Sequence, residues 1–169
     1  MILTKDEFLS SLRGEIRILL HLVSKVDPSK LDYRPTPNQR STLELLQYLT
    51  IVGPIHCRGA LADAFSMDAW RQEWTAGEAS AKALDLEGVK QALAGLPALF
   101  EDLVGSCPER RLRGELEMFG SRASRGSWLV SLVLQHYTAY RMQLFLYLKA
   151  SGRQELNTFN LWAGMDGNM

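Results

Sequence analysis

Two capping boxes, Thr4 with Glu7 and Ser41 with Glu44, each stand just before a run of apolar residues spaced by threes and fours. That combination constrains this chain more than any other feature. A hydroxyl that accepts from the third residue on, with a glutamate reaching back, satisfies donors that a helix start leaves orphaned. After Thr4, the residues Phe8, Leu12, Ile16, Leu19 and Val23 share one face at about 100° per residue, which predicts a helix to about Val26. Arg17, His21 and Lys25 fall opposite, with Arg13 at the edge, so His21 is expected to face solvent.

The segment 27–40 holds three prolines and no helical period, so it predicts a long crossover loop. The second capping box opens a helix expected to reach about Phe65. Inside it Pro54 removes a backbone donor and kinks the rod, and Gly53 relieves the clash that precedes a proline. Residues 66–84 read as a short helical turn around Trp70 and Trp74 followed by a small-residue linker. Asp85 caps a third long helix with Val89, Leu93, Leu96, Leu99, Phe100 and Leu103 as its stripe and Pro97 as a second kink. The segment 107–126, with five arginines against three glutamates, reads as a solvated connector. A fourth helix is expected from Ser127 to Ala150, ended by Gly152, and the tail is expected to add a turn that docks Leu161 and Trp162.

Four amphipathic helices without strand alternation or internal repeat predict an all-α fold, a four-helix bundle with a long first crossover loop and short additional helical turns. The 169 residues suit a single domain, 1–169. Nineteen Lys and Arg balance nineteen Asp and Glu, which gives no electrostatic reason to bind nucleic acid. No apolar run approaches the roughly 20 residues of a membrane span, and "MILTKDEF" lacks the apolar core of a signal peptide. Cys57 and Cys107 form no zinc spacing and read as free thiols, so a cytoplasmic setting is expected.

The polar residues on apolar faces point to a site. In "LQHYTAYRMQLFLYLKASG", His136 and Tyr140 lie four residues apart on the face that carries Leu129, Val133, Leu144 and Tyr147, with Gln143 at its border. Arg141 is assigned to the other side or its edge. On the second helix Tyr48 flanks the inner face, and His56 and Asp63 follow on the same line. Buried polar groups left without partners cost roughly 1–3 kcal/mol each, so these side chains are expected to meet in a polar pocket of Tyr48, His56, His136, Tyr140 and Gln143.

The segments "RPTPNQRSTLELLQYL" and "HYTAYRMQLFLYLKASG" resemble the DinB-like family, and the resemblance extends along the whole chain. There the second helix ends a leucine-rich turn in histidine then leucine, and the last reads H-x-x-x-H-R-x-Q, then Y-L and a closing glycine. His136 matches the first histidine of that closing motif, and Arg141, Gln143, Tyr147, Leu148 and Gly152 match the rest. The resemblance implies a divalent metal, zinc or nickel, held by three histidines. Here two of those positions are Tyr48 and Tyr140. A phenol must lose a proton of pKa near 10 to become a ligand, so no metal cofactor is expected.

If a metal were present, His136, His56 and Asp63 are the residues assigned to it, although His56 lies about 12 Å beyond Tyr48 along a straight helix and so at another level. His136 itself is expected to be a remnant of the metal position, hydrogen-bonded to tyrosine. Two functions follow. One is a non-catalytic or metal-free member with a small-molecule pocket and no assigned catalytic residue. The other is a metal-dependent enzyme of the thiol S-transferase or hydrolase type using His136 and His56. The resemblance also implies a homodimer formed through helix faces.

Overall fold

The computed structural model describes residues 3–167. Met1 and Ile2, part of the segment read as lacking a signal peptide, and Asn168 and Met169 of the tail lie outside it. Helices α1 (Lys5–Val23), α2 (Thr42–Leu61), α3 (Met67–Lys82) and α4 (Leu86–Phe100) are followed by a short α5 (Glu109–Arg113). A hairpin of β1 (Glu115–Met118) and β2 (Ser121–Ser124) comes next, then α6 (Arg125–Leu129), a π-helical turn (Val130–Leu134) and α7 (Gln135–Ala150). Helix α1 packs on α4 and α7, and α2 packs on the same two, so α1 and α2 hold diagonal corners of a four-helix bundle. That diagonal is what the long first loop crosses. Both capping boxes form, with Thr4 and Ser41 accepting from Glu7 and Glu44. No helix among the described residues is long and apolar enough to cross a membrane.

Several sequence expectations change. Residues 66–84 are not a turn and linker: Ser66 caps the 16-residue helix α3, which lies along the outside of α2. Its single strong apolar signal is the Trp70–Trp74 pair, too sparse to show a stripe.

The arginine-rich segment is not a solvated connector either. Arg111 donates to the Leu61 carbonyl, and Arg125, itself buried, donates to the carbonyls of Ala62 and Asp63 and also to Glu115. These bonds satisfy orphan acceptors at the end of α2, which is why it stops at Leu61 rather than Phe65. At the other helix, α1 closes at Val23 rather than Val26 with tightened bonds from Lys25 and Val26.

The third change concerns the last long helix. Leu129, Val133, Tyr137 and Arg141 are all buried, although three steps of four residues drift about 120° on an ideal α-helix. The π turn at Val130–Leu134 absorbs the extra residue and keeps all four on the inner face. Arg141 is therefore not on the polar side. It is 2% exposed, 2.9 Å from Glu15, and donates to the Leu161 carbonyl. Through that bond the C-terminal turn Phe159–Ala163 docks on α1 and α7, burying Leu161 while Trp162 lies over the guanidinium and stays largely exposed. The same turn covers His21, whose Nε2 is 3.1 Å from Asn160, so His21 is not solvent-facing. Burial, and then Lys25, hold its pKa below the usual value.

Candidate functional site

The π turn decides where the rings of α7 point. Tyr137 enters the core and its hydroxyl donates to the Leu49 carbonyl. Gly53 is what admits it, because a Cβ there would sit 2.6 and 2.8 Å from carbons of the Tyr137 ring. His136 and Tyr140, one residue back from Tyr137 and Arg141, are thereby displaced to the flank of α7 that meets α2.

On that flank the rings form a continuous ladder. Tyr48 and Tyr140 meet edge to face at 4.9 Å between centroids, His136 lies 5.8 Å from Tyr140, and His56 lies 5.2 Å from His136. Trp70 and Trp74 of α3 then cover His56 at 5.9 and 6.0 Å. His56 thus adjoins His136 rather than occupying a separate level. Helix α7 runs antiparallel to α2, and His136 is itself one turn from Tyr140, so the two imidazoles approach from opposite directions.

The hairpin closes the upper end. Met118 and Leu116 are buried beneath it, and the two-residue turn Phe119–Gly120 has positive φ at both positions, 51° and 75°. A bulky side chain in that region is a backbone outlier. The Phe119 ring lies 4.8 Å from Phe65, 5.4 Å from Trp70 and 6.3 Å from His56. At the lower end the Arg40 guanidinium sits 4.0 Å over the Tyr48 ring. A cavity of about 400 Å³ opens there, lined among others by Arg34, Arg40, Glu44, Tyr48 and Lys82. Another, of about 330 Å³, lies beside Phe8, Leu112 and Leu129 and is lined by no histidine or tyrosine.

The electrostatics keep the site uncharged. Burial, reinforced by His136, pushes the His56 pKa down to about 4, and burial lowers that of His136, opposed by a hydrogen bond to the Ser131 carbonyl. Among the described residues no hydrogen bond joins His136 to a tyrosine, and its contact with Tyr140 is ring to ring. Tyr140 packs edge to face on Tyr48, whose phenol is pushed well above its usual range, chiefly by burial. His56 is 6% exposed and its Nδ1 has no partner, nor has the indole nitrogen of Trp70. Cys57, next to His56, is buried and free, and burial pushes its thiol up to about 12, which leaves it inert as a nucleophile.

Two of the assigned residues do not reach this ladder directly. Gln143 donates to the Tyr147 hydroxyl, which donates to the Arg40 carbonyl. It acts on the site by holding the loop that places Arg40. Asp63 pairs with Arg111 at 2.7 Å with its side chain 93% exposed. Among the described residues no three histidine, cysteine, aspartate or glutamate side chains converge to hold a metal ion. Two imidazoles beside two phenols do not fit the divalent ion that the resemblance implies. Trp70, Trp74, Phe119 and Arg40 complete the site and were not among the residues assigned from sequence. The four-residue spacing of the tryptophans is the only signal they carry there.

No protein-family model matches the chain, and no curated protein matches it. Solved structures do. A DinB-like protein from Bacillus subtilis, YjoA, is 19% identical with a TM-score of 0.66, over 90% of this chain and 96% of that one. A DinB-like protein from Bacillus cereus is 13% identical with a TM-score of 0.69, over 90% of this chain and 95% of its own. The chain has the helical-bundle fold of the DinB-like proteins.

Proposed function

We propose that this protein is a DinB-like family member that works without a divalent metal, performs no catalysis itself, and binds a small molecule at the ladder of Tyr48, Tyr140, His136 and His56. The observation that carries this reading is the Tyr48–Tyr140 contact. It occupies two of the three positions where the resemblance implies histidines, and the edge-to-face packing buries Tyr48 so that its phenol stays protonated. A buried neutral phenol neither ligates a divalent ion nor serves as a base. The unpartnered nitrogens of His56 and Trp70 supply the polar contacts a ligand would satisfy. The cavity lined by Tyr48 and Arg40 adjoins the Tyr48 end of the ladder. Two free buried thiols suit a reducing, cytoplasmic setting.

The test is metal retention. Protein incubated with excess zinc or nickel and desalted is expected to keep far less than one ion per chain. Near-stoichiometric retention abolished by His136→Ala would instead support the metal-dependent enzyme.

The reading includes a homodimer across the outer face of α7. Between Ser127 and Leu148 the only Asp, Glu, Lys or Arg is Arg141, and it points inward. The outward stripe Ser131, Gln135, Ala139, Met142 and Leu146 is uncharged, with Met142 39% and Leu146 56% exposed. Depletion of charge with methionine present is the signature of an interface centre, and Ala139 in the middle lets a second copy of the same helix approach closely.

A further inference from the structure

We propose that the C-terminal segment 157–167 is an acid-released latch over the buried Arg141–Glu15 pair, with the neutral imidazole of His21 as its catch. The latch lies on α1, uses no residue of the ring ladder, and stands independently of the ligand reading.

The catch follows from a chain of donors and acceptors. The Asn157 backbone N–H donates to Asn160 Oδ1 at 2.8 Å, and Asn160 Nδ2 donates to Asp166 at 2.9 Å. The Asn160 amide therefore cannot turn over without setting its NH₂ against an N–H and its oxygen against a carboxylate. The atom it presents to His21, 3.1 Å from Nε2, is a donor. Only an unprotonated Nε2 can accept from it, which puts the single ring proton on Nδ1. A second proton would set N–H against N–H at a buried asparagine, 3% exposed.

The charges around the ring act in the same direction. Burial lowers the proton affinity of His21 most, then Lys25, with Arg17 adding to it and Asp166 opposing. Asp166 is 3.7 Å from Nε2, but its side chain is 70% exposed and Lys25 already neutralises it at 2.6 Å, so its pull on a charged ring is screened. Arg153, which follows α7 and donates to the Lys25 carbonyl, is itself paired with Glu155. A proton on His21 is thus bound more weakly with the segment docked than released. The docked state is fully favoured above the ordinary histidine pKa of about 6.5 and weakens as pH falls below it.

The segment is built to let go. Beyond Leu156 only Asn160 and Leu161 are buried, and few buried contacts mean a low cost of local opening. Its other ties, Arg17 to the Ala163 carbonyl, Arg141 to the Leu161 carbonyl and Lys25 to Asp166, keep their charges between pH 5 and 8, because Lys25 holds the Asp166 carboxyl below its usual range. His21 is the one tie that titrates in that interval. Release uncovers Arg141 and Glu15, closed off while Leu161 and Trp162 lie over the guanidinium.

Hydrogen exchange at the Asn160, Leu161 and Trp162 amides, corrected for its intrinsic pH dependence, reads the latch between pH 7.5 and 5.5. A released imidazole goes from about one-tenth to about nine-tenths protonated over that interval, which caps the gain in opening at about tenfold. Exchange should therefore quicken by about three- to tenfold. His21→Gln keeps an acceptor for Asn160 and takes up no proton, so its response should be flat, whereas His56→Phe should respond like the unaltered protein. Ring ¹⁵N shifts of His21 in the unaltered protein supply a reading that needs no variant. A His21 ring that charges while the three amides keep their protection overturns the proposal. So does an equal acid response in His21→Gln, or no response in the unaltered protein.

Discussion

Gly53→Ala is the substitution that interrogates the geometry most sharply. In a helix interior alanine is favoured over glycine by about 1 kcal/mol, so on propensity alone the variant is stabilised. The structure reverses that sign. The new methyl would lie 2.6 and 2.8 Å from carbons of the Tyr137 ring, closer than van der Waals contact allows. Tyr137 is fully buried, its hydroxyl is tied to the Leu49 carbonyl, and its backbone is fixed just after the π turn, so it cannot swing away. Overpacking of a dense core costs about 1–3 kcal/mol, and breaking the buried hydrogen bond adds about 1 kcal/mol. With the propensity gain subtracted, a net loss of about 1–3 kcal/mol remains. For a chain this long that corresponds to a melting point lower by about 3–10 °C. Urea denaturation of Gly53→Ala, Tyr137→Phe and the double variant measures the coupling. The double variant should be less destabilised than the sum of the singles, because Tyr137→Phe removes the closest atom. A stabilised Gly53→Ala protein, or strict additivity, would refute the placement of Tyr137 and with it the π turn that sets the ring ladder.

Phe119→Gly removes a positive-φ penalty of about 1–2 kcal/mol and loses ring contacts of similar size, so stability should change by less than about 1 kcal/mol while acrylamide quenching of tryptophan increases. Unchanged quenching would mean that the hairpin tip does not cover the site. The His56 imidazole binds its proton more weakly folded, at about 4, than unfolded, at about 6.5. Its stability contribution is therefore intact above about 6.5 and lost as pH falls through 4. The gap is worth about 3 kcal/mol, of which about 2 kcal/mol is gone by pH 5. Urea melts at pH 7 and pH 5 should show that drop, and His56→Phe should shrink it; an identical slope in the variant would place the charge penalty elsewhere. Leu146→Glu puts a charge at the uncharged face of α7, and light scattering should find it monomeric where the unaltered protein is dimeric. A monomeric unaltered protein would remove that interface.

The bundle was legible because its core helices carry apolar residues in step with the helical turn, and three of them are announced by side-chain caps at Thr4, Ser41 and Asp85. What stayed hidden had physical reasons. Helix α3 is built from small and polar residues around two tryptophans, so it carries no stripe, and it earns its place only by lying on α2. The alternation Glu115-Leu116-Glu117-Met118 of β1 is only four residues long, too short to stand out, and the arginines around it suggested solvent because their acceptors are backbone carbonyls, which no sequence pattern marks. A helical wheel advances by a constant angle and so cannot register the additional residue of the π turn, which is why Arg141 was placed outside although it is buried against Glu15. Tyr48, His136 and Tyr140 do lie together, as the motif positions suggested. His56 was expected a level away because its distance was counted along one helix, with no account of a partner running the other way.

The central claim is that two phenols have closed a position where histidines would grip a divalent ion. Restoring the nitrogens tests it most directly. Zinc or nickel content after loading and desalting should be far below one per chain in the unaltered protein and rise to about one in Tyr48→His/Tyr140→His, where His136 would complete a set of three. Stoichiometric metal in the unaltered protein, or none in the restored one, would contradict the account.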